Sequence, residues 1–128
     1  MSIQTRNRII GVLLVAILLL IGVGALETWG YFRLHLEAAF AEEQTRVFDE
    51  ARTKALESDA AGAAGLLEYV VIYYPSGSKQ RTGSHLDLVV ERHRDIVIQD
   101  IIRHLREKTG EDLGEKPEVW VQKYDKKK

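Results

Sequence analysis

The stretch IIGVLLVAILLLIGVGAL, residues 9–26, decides the architecture because it runs for 18 residues without a charged or strongly polar side chain. As an α-helix rising 1.5 Å per residue it would be about 27 Å long, close to the roughly 30 Å of a bilayer's hydrocarbon core. A buried helix of a soluble protein is a poor explanation for so long an apolar run in so small a chain. We therefore predict a transmembrane helix over residues 9–26, preceded by a short flank, residues 1–8.

Two explanations of this segment stay open, an uncleaved signal-anchor and a cleaved signal peptide. Both begin with a basic flank, and residues 23–25 could supply the small-residue exit that a signal peptidase recognises. The run exceeds the usual apolar stretch of a signal peptide. Trp29, Tyr31 and Phe32 follow it at once, as in the aromatic belt at a membrane–water interface. We favour the signal-anchor, with these three aromatic residues at the interface.

The distribution of charge predicts the orientation of the anchor. Arg6 and Arg8 precede the apolar run together with the α-amino group, whereas all 19 acidic residues follow it. Because Lys and Arg concentrate on the cytoplasmic side of membrane proteins, the N-terminus is predicted inside and the C-terminal domain outside. The expected location is the cytoplasmic (inner) membrane, with a single pass and the lipid bilayer as a partner.

Composition limits what the rest of the chain can be. A length of 128 residues allows one ordinary domain, and the absence of cysteine excludes disulfides and thiolate metal sites. A formal net charge of −1 lacks the basic excess of nucleic-acid-binding proteins, so no nucleic acid is expected as a partner. We expect an all-α fold, in which the transmembrane helix leads to a small helical bundle or hairpin with a short docked C-terminal helix.

A juxtamembrane helix is predicted within residues 27–58. Helical spacing places five residues on one apolar face, namely Leu36, Phe40, Val47, Ala51 and Ala55. A coiled coil is disfavoured, because a heptad with Phe40 and Val47 at one core position puts Glu43, Glu50 and Lys54 at others.

Residues 59–128 are predicted to form a small helical domain with a C-terminal tail. Ser58 and Asp59 are a plausible N-cap for a second helix over residues 60–74. Its end, residues 69–74, has the composition of a β-strand, but the spacing of its apolar residues favours a helix. Pro75 ends the element in either case.

The third helix, residues 85–108, is the clearest prediction. Ser84 and Asp87 resemble the two partners of a capping box, and Gly110 is the expected C-terminal stop. The apolar face should be buried, and it consists of Leu86, Val90, Val97, Ile98, Ile101, Ile102 and Leu105.

A short fourth helix is predicted to begin at Pro117. So short a helix does not persist by itself in water, so it must dock on the other helices if it is ordered. Leu113, Trp120 and Tyr124 are the predicted docking residues.

Three stretches carry a resemblance to known proteins. They read LEYV (67–70), YYPSGSKQ (73–80) and TGEDLGEKPEVW (109–120). Together they resemble small uncharacterised membrane-anchored bacterial proteins that end in a Thr-Gly-x-Asp-Leu-Gly-x-x-Pro-x-x-Trp tail. The tail is also similar to the closing segment of some bacterial helical-repeat proteins. The resemblance covers about half of the chain and implies a helical domain with a docked tail, but no activity.

Candidate chemistry in the third helix is sparse. His93 and His104 are eleven residues apart, about 16 Å along a helix, too far to share one metal ion. Each is expected to be a histidine at the core edge with a hydrogen-bond partner. Asp87, Glu91 and Asp95 form a carboxylate stripe, which we interpret as a solvated helix face. No catalytic residue, metal site or cofactor is expected.

The loop GSKQRTGS, residues 77–84, lacks the glycine and lysine spacing of a phosphate-binding loop. Lys79, Arg81 and Ser84 stand before the third helix and could hold an anion at its free N–H groups. A solvated connector without a ligand is the alternative.

These observations favour a protein-interaction or envelope-scaffold module without catalysis, whose partner is another protein. A ligand- or anion-sensing module and a metal-binding or enzymatic domain are the alternatives. An enzyme should bring histidines and carboxylates together in one pocket, whereas an interaction module should expose an apolar patch.

Overall fold

The computed structural model describes residues 2–73, 75 and 77–125. It is all-α, with four helices over this part of the chain: α1 (Ile3–Leu56), α2 (Ala60–Ile72), α3 (His85–Thr109) and α4 (Pro117–Tyr124). The predicted fold class is therefore confirmed, and residues 69–72 are helical rather than extended. Tyr74, the predicted last residue of the second helix, and the terminal residues 126–128 lie outside the described residues.

The chain divides into two compact units, Met1–Leu36 and Glu37–Lys128. The first unit holds the N-terminal part of α1, whose most apolar window has no residue buried inside the protein. By length and composition this helix is able to cross a membrane, although a signal sequence would share both properties. The second unit joins the rest of α1 to α2, α3 and α4.

In the second unit, α1 contributes a seam of residues to the core at alternating spacings of three and four. The seam consists of Ala41, Gln44, Phe48, Ala51 and Ala55. This is the spacing of a heptad core, in which one narrow face of a helix stays in contact with its neighbours. The predicted apolar face was partly wrong: Leu36 is exposed, Phe40 and Val47 are half-buried, and Phe48 is fully buried instead. Because Gln44 is polar, the pattern of apolar residues in the sequence did not indicate that this face of α1 is the buried one.

The predicted core face of α3 is confirmed except at Leu86, which is only half-buried. Val90, Val97, Ile101 and Leu105 are all buried, and they pack in one cluster with the α1 seam, α2 and α4. The helix ends are also as predicted. Asp59 accepts a hydrogen bond from Gly62 N, Ser84 Oγ accepts one from Asp87 N, and Gly110 takes the left-handed conformation (φ 70°) at the end of α3.

Candidate interaction surfaces

Helix α3 carries a second set of apolar side chains on the side opposite its core face. Leu88, Val89 and Ile96 are 59%, 47% and 53% exposed, respectively. At 100° per residue these three lie within one arc, and that arc faces away from the buried side of the helix. We call them the α3 stripe. The signal was present in the sequence, where the apolar arc of this helix is broader than one core requires.

Arg92 lies within the α3 stripe, four residues after Leu88 and four before Ile96. It is exposed and forms no ion pair with any residue that the structure describes. The Arg92 guanidinium can therefore bind an acidic group of another molecule, and it lies between the exposed side chains of Leu88 and Ile96. Asp95 is exposed as well, at the edge of the same face.

A groove of about 410 Å³ lies between α2 and α4. Its apolar lining comes from Val71, Ile72 and Val121, and its polar lining from Glu68, Glu118 and Gln122. Ile72 is largely exposed, whereas Val121 is buried. We call this feature the α2–α4 groove. It combines an apolar floor with two carboxylates.

The C-terminal tail that forms one wall of this groove is held by Trp120. Its side chain has no exposed surface, and its Nε1–H donates to the carbonyl oxygen of Gly114 at 2.9 Å. Leu113 and Tyr124 are half-buried against the core, and the Tyr124 ring stacks on Trp120 with centroids 6.2 Å apart. The hydroxyl of Tyr124 donates to Glu111. The three predicted docking residues thus all pack in or against the core cluster of the domain.

Ion pairs fix the connector between α3 and α4. The Arg106 guanidinium binds Asp112 at 2.9 Å and Glu115 at 2.7 Å, and Lys123 Nζ lies 2.6 Å from Glu111. The backbone N–H of Gly114 and then Arg106 lower the pKa of Asp112. The hydrogen bond from Lys123 lowers the pKa of Glu111. Both carboxylates are therefore stabilised in their charged form.

The predicted anion-binding loop is organised by a carboxylate of the chain itself. The two oxygens of Asp87 accept hydrogen bonds from Gly77 N at 3.1 Å and Gly83 N at 2.8 Å. Asp87 is only 3% exposed, so its interpretation as part of a solvated face was wrong. The resemblance to a capping box holds only in part. Ser84 Oγ accepts from Asp87 N as such a box requires, but the Asp87 carboxylate accepts hydrogen bonds from the loop and not from Ser84 N.

The three predicted anion ligands do not converge. Lys79 Nζ lies over the ring of Phe40, 4.8 Å from its centroid, whereas Arg81 is exposed. Ser84 Oγ accepts a hydrogen bond from the backbone N–H of Asp87 at 3.2 Å. Anion binding at this loop stays a prediction, and two of the loop's N–H groups already have an anionic acceptor.

A buried polar contact that the sequence does not reveal joins this loop to α1. Gln80 Nε2 donates to Gln44 Oε1 at 2.6 Å, and both side chains are buried. The pair accounts for the polar residue in the α1 seam, since an unpaired amide in the core would be costly. Glutamine pairs between distant segments leave no periodic signal, so sequence reasoning had no means to find this one.

His93 and His104 of α3 each have a separate partner on the chain before that helix. His93 Nε2 lies 3.0 Å from Asp49 Oδ1, and His104 Nε2 lies 3.2 Å from the carbonyl oxygen of Ser58. Within the described part of the chain, no three His, Cys, Asp or Glu side chains are grouped as a metal site would require. The arrangement fits structural roles for both histidines.

The remaining carboxylates of the predicted stripe differ in environment. Glu91 is half-buried and pairs with Arg94 at 2.7 Å, whereas Asp95 is exposed. Burial raises the pKa of Glu91, and the neighbouring Arg94 opposes that rise. The interpretation as a solvated face holds for Asp95 only.

The predicted interfacial residues follow the apolar part of α1. Trp29, Tyr31 and Phe32 are all exposed. Trp29 and Phe32 have ring centroids 6.2 Å apart, and Tyr31 meets His35 edge-on at 4.3 Å. Amphipathic aromatic rings exposed beside an apolar span are typical of a headgroup-level belt.

No protein-family model, curated protein or solved structure matches this chain.

Proposed function

We propose that this chain is a single-pass membrane protein whose helical domain is a protein-interaction or envelope-scaffold module outside the cytoplasmic membrane. In this proposal residues 9–26 remain as an uncleaved anchor, with Arg6 and Arg8 on the cytoplasmic side. The apolar part of α1, which is exposed along its length and followed by exposed aromatic rings, supports the anchor. The basic flank supports the orientation.

The observation that carries the interaction role is the α3 stripe. Helix α3 already buries a full apolar face against its own domain, so Leu88, Val89 and Ile96 add nothing to that core. Apolar side chains grouped on one solvent face mark sites where another molecule binds. The partner of such a site is a protein surface with an apolar groove, and no reaction has to occur there.

The anchor is tested by fractionation of the full chain. Intact-mass analysis of the membrane-bound protein should show residues 1–26 retained, and protease added to spheroplasts should remove the helical domain. A soluble product beginning near Leu26 would contradict the anchor.

The interaction role is tested by a photoreactive amino acid at Ile96, with a matched probe at Lys54, an exposed position on α1. Irradiation of intact membranes should join the Ile96 probe, but not the Lys54 probe, to a protein of defined mass. Adducts to lipid alone, or equal labelling from both positions, would contradict the interaction role.

A further inference from the structure

We propose that the α3 stripe binds the α2–α4 groove of a second copy of the same chain. The inference rests on the proposed interaction role and names its partner. It follows from the chemistry of two surfaces that the same domain exposes.

The α3 stripe has the form of a helix that is bound in a groove. Leu88, Arg92 and Ile96 recur every four residues, so they present an apolar, a cationic and a second apolar group along about 12 Å of helix. Val89 widens the apolar surface beside Leu88. A complementary site needs an apolar floor interrupted by a carboxylate.

The α2–α4 groove has that composition. Val71, Ile72 and Val121 supply the floor, while Glu68 and Glu118 supply carboxylates from the two helices that form its walls. Glu118 is exposed and forms no ion pair with the described residues. It is the natural acceptor for Arg92 of the second copy.

Charge and apolarity therefore match between the two surfaces. Burial of Leu88 and Ile96 on the groove floor would bring Arg92 to Glu118, and a guanidinium and a carboxylate form the most directional ion pair available to side chains. A groove with a basic rim or a stripe with a glutamate at its centre would have argued against this pairing. Self-association also requires no partner chemistry beyond this sequence.

The contact joins two different surfaces, so it is heterologous and leaves one stripe and one groove open in every pair. Heterologous contacts propagate from copy to copy, into a ring if the rotation closes and into an open row if it does not. Either arrangement suits a scaffold.

The chain contains no cysteine, which permits a direct test with single introduced thiols. Two tagged full-length copies, one carrying I72C and the other I96C, are expressed together and treated in native membranes with a short bis-maleimide. We expect a mixed adduct that contains both tags. Replacing I72C by K54C gives the matched control, which should yield no adduct with I96C.

Charge reversal tests the ion pair independently of the cross-link chemistry. R92E on the I96C copy should lower the yield of mixed adduct at least about tenfold, because it places a carboxylate against Glu118 across the contact. E118R on the I72C copy should restore it. Restoration by the second reversal also shows that neither variant is merely misfolded.

The outcomes separate this inference from the function on which it rests. An I96C adduct only with another I96C copy would overturn the assignment of the groove. An Ile96 photo-adduct with a different protein would overturn self-association and leave the interaction role intact. Adducts with lipid alone would overturn both.

Discussion

Replacing Trp120 by Ala should detach the C-terminal tail and destabilise the helical domain strongly. The Trp120 side chain is fully buried, and truncating such a side chain costs about 3–5 kcal/mol in a packed core. Loss of the hydrogen bond to Gly114 O is included in that range at about 1 kcal/mol. Since the free energy of unfolding of a domain is about 5–15 kcal/mol, the variant should lose about a fifth or more of its stability.

The measurement is urea unfolding of the full chain in detergent micelles, followed by circular dichroism at 222 nm. The apolar part of α1 keeps its hydrogen bonds inside the micelle, so the transition reports on the helical domain. The midpoint should fall by at least about 1 M urea. Trp29→Ala is the matched control, because Trp29 is exposed, and it should leave the midpoint unchanged. A change below about 1 kcal/mol for Trp120→Ala would refute the docking of the tail.

Three further predictions use the same unfolding assay or limited proteolysis. Ile101→Ala should cost about 2–4 kcal/mol because the side chain is fully buried, and a cost below about 0.5 kcal/mol would contradict its place in the core. Asp87→Ala removes the acceptor of two loop N–H groups, so trypsin should cut after Arg81 faster than in the parent chain; unchanged kinetics would count against this role. Folding lowers the pKa of Glu111 and Asp112, so their contribution is present at neutral pH and lost as the pH falls below about 4; a variant with both residues as amides should show a weaker acid dependence of the midpoint.

The features that the sequence predicted correctly rest on local signals. An unbroken apolar run, a cap residue before a helix and a glycine after it act within a few residues of chain. Asp59, Ser84 and Gly110 are therefore where they were expected. The core face of α3 could be predicted from periodicity, because Val90, Val97 and Ile101 are large apolar residues that recur on one face of the helix.

The features that the sequence did not predict depend on contacts between distant segments. The α1 seam contains three alanines and Gln44, so its apolar content is too small to mark the register, and Val47 was chosen in place of Phe48. Gln44 is tolerated only because Gln80, 36 residues away, supplies its partner. Asp87 was taken for a solvated residue because nothing near it in sequence shows that a loop folds back onto its carboxylate.

The size of the α3 stripe bears on where self-association can occur. Full burial of an aliphatic side chain contributes about 1.5–3 kcal/mol, and Leu88, Val89 and Ile96 are already about half-buried in the single chain. Burial of their remaining surface in the contact would contribute about 2–5 kcal/mol of binding free energy. Association costs about 4–15 kcal/mol for the loss of free translation and rotation. The contact is therefore marginal between freely diffusing molecules. In the proposed membrane-anchored form much of that cost is removed, because copies in one membrane are already oriented and concentrated. The mixed I72C–I96C adduct should consequently decline as the protein is diluted with added lipid in vesicles, and it should vanish in excess detergent. An adduct yield independent of lipid dilution would mean that the contact draws on more surface than these three side chains provide.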